Sequence, residues 1–216
     1  MPVLDGPMRL AQSGRTTSVV VLLHGYGADG HDLIGLADAW RAALPDTLFL
    51  APDAPERISG YLGGRQWFPL DRRDAGELRG GVLAARPLVD RYLDGVLDET
   101  GVEPDRLALF GFSQGAMMAL HVGLRRAAAP AAILAYSGRL AAPELLTAEI
   151  ACRPPVLLVH GMEDGIISVD ALAEARESLR RAGVPVTGHT IADLGHGIDE
   201  TGLDLGARML EQALAP

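Results

Sequence analysis

The sequence predicts an α/β fold with a mostly parallel central sheet and helices on both faces. Three observations predict it. Short β-branched or Leu-rich runs recur along the chain, separated by longer segments with helical patterning. Most of these runs are apolar throughout rather than alternating, as strands covered on both faces require. One run passes through Gly111-Phe112-Ser113-Gln114-Gly115 straight into a helical pattern, which makes a strand–turn–helix junction.

In chain order, Val19 to Leu23 is the first predicted strand. The helical pattern from Asp32 to Leu44 opens on an N-capping residue type and stops before Pro45. Leu48 to Ala51 reads as a strand, and Pro52 to Gly81 as an irregular stretch rich in Gly, Pro, Asp and Arg. A loop of that length inside a compact domain is usually functional or hides a short element. Arg86 to Glu99 follows as a helix with Pro87 near its start, where proline is tolerated. Leu107 to Phe110, Ile133 to Tyr136 and Val156 to Val159 are strands, with a helix over Gln114 to Arg126 between the first two. Val169 to Ala182 is a helix closed by Gly183, a favourable residue just past a helix end. Val186 to Ile191 makes a weaker strand towards the sheet edge, and Asp199 to Leu214 a last helix. No internal repeat, low-complexity tract or second hydrophobic core interrupts the pattern, so a single domain over residues 1–216 is expected.

Composition narrows the chemistry. A chain of 216 residues buries roughly 70% of its unfolded surface and needs no disulfide or metal to hold a core. A net charge of −9 argues against nucleic acid, which attracts clustered basic residues. All 19 basic residues are Arg, which excludes Schiff-base chemistry, Ser-Lys dyads and a P-loop lysine. Cys152 stands alone and reads as a structural thiol, with no cysteine-based metal site. Met1 to Leu10 lacks the basic and apolar regions of a secretory signal, and no run reaches the ~20 apolar residues of a membrane span. A cytoplasmic protein is expected.

The junction at Gly111 to Gly115 matches the Gly-x-Ser-x-Gly elbow, in which glycines allow a sharp turn and leave Ser113 exposed at its apex. A serine hydroxyl needs a base to take its proton. Of six histidines, His24 and His160 stand at strand ends before Gly and read as braces of strand-to-loop turns. His31, His121 and His189 read as surface or packing residues. His196 lies in Gly195-His196-Gly197, between the last strand and the last helix, where the α/β-hydrolase fold carries its histidine. The acid should fall between nucleophile and base in sequence. Asp164, after the Val156 to Val159 strand, is preferred over its neighbour Glu163 and over Asp193. The order Ser113, Asp164, His196 is the one this fold requires. Backbone N–H groups of Gln114 and of Tyr26, in the loop after the first strand, would hold the oxyanion.

That same loop spells Gly25-Tyr26-Gly27-Ala28-Asp29-Gly30, a G-x-G-x-x-G spacing, and Asp53 lies near a ribose-binding position. A nicotinamide-dependent dehydrogenase is therefore the rival class. Against it, Asp29 would set a carboxylate beside the pyrophosphate, and the serine elbow would be a coincidence.

Taken together, Leu22 to Gly27, Ala51 to Pro55, Trp67-Phe68, the Gly111 to Gly115 elbow, His160-Gly161 with Asp164, and Gly195-His196 resemble the carboxylesterase, lysophospholipase and acyl-protein thioesterase family. The resemblance spans most of the chain. It implies a hydrolase of small to medium acyl esters or thioesters, without metal, cofactor or lid domain, and with a shallow apolar acyl groove. It also supports Tyr26 and Gln114 as oxyanion donors. Two departures stand out: Tyr26 where the family commonly has Leu, and Pro69 where Asp usually follows the aromatic pair. The natural substrate therefore does not carry over. Trp67 and Phe68 fit either a plug that pins the long loop or an acyl-pocket wall. Met117, Met162, Ile166 and Ile167 are candidates to line the groove, and an exposed groove would favour a homodimer. Arg72-Arg73, between Asp71 and Asp74, reads as a solvated charge run.

Overall fold

The computed structural model of the chain describes residues 4–60 and 63–215. The strands are β1 (Met8–Arg9), β2 (Ser18–Leu23), β3 (Thr47–Leu50), β4 (Glu56–Arg57), β5 (Arg65–Gln66), β6 (Leu107–Phe112), β7 (Ala132–Tyr136), β8 (Val156–Gly161) and β9 (Val186–Ile191). The helices are α1 (Gly30–Ile34), α2 (Leu36–Trp40), α3 (Ala75–Thr100), α4 (Gln114–Gly123), α5 (Pro143–Glu149), α6 (Asp170–Arg181) and α7 (Glu200–Ala213). Seven strands form one sheet in the order β1-β3-β2-β6-β7-β8-β9, and β4 pairs with β5 apart from it. Every neighbouring pair in the large sheet is parallel except β1 with β3.

The strands read as unbroken apolar runs because each face packs a core. Val19, Val21 and Leu23 join Leu107, Leu109, Ile133, Val156 and Leu158 on one face, beneath buried residues of α3, α4, α5 and α6. Val20 and Leu22 join Phe110, Leu134, Tyr136, Leu157 and Val159 on the other, beneath α1, α2 and α7. Burying a side chain of this size contributes about 1.5–3 kcal/mol each. Two buried polar groups lock the second layer. The Tyr136 hydroxyl donates to Gly202 O at 2.7 Å, and Trp40 Nε1 donates to Leu203 O at 3.0 Å.

The structure departs from the sequence reading in three places. Asp32 to Leu44 is two short helices meeting at Gly35 rather than one. The helix expected from Arg86 begins at Ala75, capped by Asp74 Oδ1 accepting from Glu77 N at 2.8 Å, so Pro87 lies inside it. Gly80 and Gly81 made this stretch look like loop, yet Gly81 is there for space. A Cβ on it would collide with the Phe68 ring. Finally, β1, β4, β5 and α5 are too short to leave a periodic signal. Among the described residues, no helix is long and apolar enough to cross a membrane.

Candidate active site

The C-terminal ends of β6, β8 and β9 carry the residues that matter. Where β6 turns into α4, Ser113 adopts φ 55 and ψ −115, a conformation rare outside glycine. Such a residue costs of order 1–3 kcal/mol and persists only where its surroundings hold it. Here Ser113 N donates to Tyr136 O at 2.9 Å. The flanking glycines let the turn close: a Cβ on Gly115 would strike the Leu23 carbonyl, and one on Gly111 the Gly115 backbone.

Ser113 Oγ lies 3.0 Å from His196 Nε2, and His196 Nδ1 lies 2.8 Å from Asp164 Oδ2. A carboxylate only accepts, so Nδ1 carries the proton and Nε2 is free to accept from the serine hydroxyl. The Phe112 ring stands 4.9 Å from the imidazole and limits its tilt. Asp164 Oδ1 accepts from Ile166 N at 2.8 Å and Ile167 N at 2.9 Å. Burial alone would raise this carboxyl. The hydrogen bonds from His196, Ile167 and Ile166, with the electrostatic pull of His196, outweigh burial and hold it below the ordinary carboxylate range.

His160 supports the carboxylate from behind. Its Nε2 is 2.8 Å from Ile167 O and 3.1 Å from Asp164 Oδ2, and its side chain is 1% exposed. Both neighbours are acceptors, so Nε2 carries a proton, which it donates to Ile167 O with the Asp164 carboxylate alongside. The sequence reading caught the strand-end position of His160 but not this contact. Glu163 is exposed and Asp193 sits in a left-handed turn at φ 56; the carboxylate bonded to His196 is that of Asp164.

Tyr26, in the loop after β2, and Gln114, the first residue of α4, both lie by the serine. Among the described residues, neither backbone N–H has a protein acceptor. Two free N–H groups beside a nucleophile are what an oxyanion needs. The Gln114 side chain, fully buried, does something the pattern does not reveal: its Oε1 accepts from Trp67 N at 2.9 Å and its Nε2 donates to Phe68 O at 2.7 Å. It stitches the long loop to the elbow. His24 completes the stitching. Its Nδ1 donates to Gly25 O at 2.8 Å, its Nε2 accepts from Ala54 N at 2.9 Å, and its carbonyl accepts from Trp67 Nε1 at 2.9 Å.

Trp67 and Phe68 are buried, with Trp67 N and Phe68 O held by Gln114 and Trp67 Nε1 by the His24 carbonyl, which fits the plug; they line a cleft along α3 separate from the one that holds Ser113. Met162 is 56% exposed just beyond the end of β8 and is not among the residues that line the cleft around Ser113. The cleft that holds Ser113 and His196 encloses about 330 Å³ and is lined by Tyr26, Leu70, Leu78, Met117, Ile166 and Ile167, with Arg73 and Arg139. Met117, Ile166 and Ile167 are thus where the sequence suggested. Leu70, Leu78 and the two arginines were missed. Arg139 alone left a signal, lying just past the C-terminal end of β7, where ligand-facing residues of such sheets collect.

The chemistry open to this arrangement is acyl transfer through a serine, and a sequence model of the phospholipase/carboxylesterase family matches residues 9–212. The chain belongs to the phospholipase/carboxylesterase family. Esterase YpfH of Escherichia coli K12 is 34% identical to it over 199 residues, spanning 91% of this chain and 81% of that one. Acyl-protein thioesterase 1 of Gibberella zeae is 27% identical, across 97% and 96% of the two chains. The crystal structure of esterase PE8 superposes with a TM-score of 0.95 at 45% identity, covering 98% of this chain and 99% of the other.

Membership of the phospholipase/carboxylesterase family also disposes of the dehydrogenase reading, and the loop geometry says why the glycines are there. Gly27 N donates to Arg65 O and Ala28 O accepts from Arg65 N, so the Gly27 donor a pyrophosphate would need is turned onto β5. Asp29 caps α1 by accepting from His31 N, and Asp53 accepts from Gly30 N and pairs with Arg65. Asp29, His31 and Asp53 bring potential metal-ligating atoms within 4.8 Å of one another, but the carboxylates are already engaged by these contacts.

Proposed function

We propose that the chain is a serine carboxylesterase that cleaves small to medium acyl esters or thioesters through an acyl-enzyme on Ser113. The observation that carries the reading is the unbroken chain from Ser113 Oγ to His196 to Asp164, at 3.0 and 2.8 Å, opening onto an apolar cleft. His196 takes the Ser113 proton as Oγ attacks the acyl carbonyl. Tyr26 N–H and Gln114 N–H hold the oxyanion, and the protonated His196 gives its proton to the departing alcohol or thiol. Water then attacks the acyl-enzyme with His196 again as base, releasing the acid and restoring Ser113.

A cleft of about 330 Å³ is at the small end for a ligand site, which favours short and medium acyl chains. The thioester alternative draws on the thioesterase named among the relatives. The single cysteine, Cys152, is buried and suits the reducing cytoplasm expected from the sequence. The test is hydrolysis of p-nitrophenyl esters from acetate to dodecanoate by wild type and by Ser113→Ala, with fluorophosphonate labelling of both. Turnover and labelling by wild type, with nearly all of both lost in the variant, is the expected result. A variant as active as wild type would overturn the reading.

A further inference from the structure

The cleft around Ser113 is not electrically neutral. Its lining includes two arginines, Arg73 and Arg139, and no acidic residue. The protein as a whole carries −9, so a cleft with two cations and no anion in its wall runs against the average of the surface. Most arginines near acids are paired; Arg72, next in sequence, reaches Asp74 at 3.3 Å. Arg73 and Arg139 are different. Among the described residues neither guanidinium has a carboxylate within ion-pair distance or a hydrogen-bond acceptor; Arg73 is exposed and Arg139 half-buried.

Arg73 is also held in place. Its backbone is left-handed at φ 57, and its N–H, with those of Asp71 and Arg72, donates to the Glu77 carboxylate. Asp74 caps α3 directly after it. Arg139 follows Ser137 and Gly138 at the end of β7, with Ser137 N donating to Val159 O at 2.8 Å. Two arginines are thus carried by backbone-anchored segments on separate sides of one cleft, with guanidiniums left without protein partners among the described residues. Arginine is the side chain best shaped to grip a carboxylate or phosphate in two places.

We propose that Arg73 and Arg139 form an anion-recognising rim, and that the preferred substrates are esters bearing a carboxylate or phosphate besides the scissile bond. The inference rests on the esterase reading. The apolar residues Leu70, Leu78, Met117 and Ile167 hold the carbon chain, while the rim selects the charged end. Arg73 is exposed, as the sequence reading of a solvated charge run expects, and the rim role is proposed in addition to it.

The test compares kcat/KM for charged and neutral substrates matched in length. One arm pairs p-nitrophenyl hemiesters of succinate, glutarate, adipate and suberate with the matching monocarboxylic esters. A second arm pairs an acyl glycerol phosphate with the acyl glycerol. The readout is the ratio of charged to neutral kcat/KM in wild type, Arg73→Gln, Arg139→Gln and the double variant, with Arg139→Lys as partial rescue. The expected result is a ratio that falls about tenfold per arginine, as loss of a charge-assisted hydrogen bond implies, and that also falls with added salt in wild type. A fall in the first arm assigns the anion to the acyl side, and in the second to the alcohol side. Ratios unmoved by either substitution in both arms overturn the rim while leaving the esterase intact. Failure of wild type to hydrolyse the neutral esters would instead count against the esterase reading itself.

Discussion

Asp164 receives three donors, the N–H groups of Ile166 and Ile167 on one oxygen and His196 on the other, with His160 Nε2 3.1 Å from that second oxygen. An Asn in its place could keep the two backbone donors on its carbonyl oxygen. Its NH₂ would then face His196 Nδ1, which must become the acceptor, and the proton would move to Nε2 against Ser113. The base would sit in the wrong tautomer in nearly unchanged surroundings. Asp164→Asn should therefore lower kcat for p-nitrophenyl esters by roughly 10³–10⁴-fold, with KM little altered; a loss under tenfold would mean the carboxylate does not orient His196. At this scale the sequence was informative where chain order constrains the answer. Ser113, Asp164 and His196 stood out because the fold allows one order. The role of His160 was hidden, because its contact with Asp164 depends on a side-chain direction that no spacing encodes. Arg73 and Arg139 were hidden for the opposite reason: isolated arginines in loops are ordinary, and only their convergence on one cleft separates them from the rest.

Helix α3 is the element whose start was most misread, and the misreading has a physical cause. Three glycines in its first two turns, at positions 76, 80 and 81, look like loop composition, and propensity alone would favour alanine there. Tertiary contact decides otherwise at Gly81, where the Phe68 ring occupies the volume of a Cβ. Gly81→Ala would gain about 1 kcal/mol of helix propensity and meet an overpacking cost of about 1–3 kcal/mol. The ring cannot move aside freely, because Phe68 is fully buried and its carbonyl is held by Gln114. The expected outcome is net destabilisation of up to about 2 kcal/mol, read as a lower Tm, with reduced esterase activity because the displaced ring pulls on the elbow. A Tm equal to or above wild type would show that the plug yields. The strands, by contrast, were legible almost to the residue: a doubly covered strand has no polar face to blur its limits, and β2, β6, β7 and β8 are buried along nearly their whole length.

Across the whole molecule, two buried histidines couple stability to acid. Burial keeps His24 below the ordinary histidine value despite its bond to Gly25 O and the nearby carboxylates of Asp53, Asp29 and Asp32. Burial, reinforced by Arg125 and Arg86, pushes His121 down from 6.5 to about 4. In the unfolded chain both take a proton near the ordinary value, so between pH 6.5 and about 4 the unfolded state binds more protons than the folded one. Stability therefore rises with pH through that window and is fully present above it. The Tm should fall as pH drops from 6.5 towards 4, and His121→Met, which removes a buried Nε2 lacking a partner among the described residues, should flatten the decline. An equal Tm at both ends of the window would dismiss the linkage. The same overview explains why the fold class could be read from sequence while the cleft could not: strands and helices follow from local patterns, whereas the cleft is a space between segments that meet only in the folded chain.

The stitch made by Gln114 changes what the five-residue elbow means as a portable part. Written as Gly-x-Ser-x-Gly, the pattern leaves the residue after the serine free, since only its backbone N–H faces the reaction. In this protein that side chain ties the segment at Trp67 and Phe68 to the nucleophile's own turn. A transplant of the elbow into a foreign scaffold would thus arrive without its anchor line unless the host offered a loop at the same height for the amide to hold.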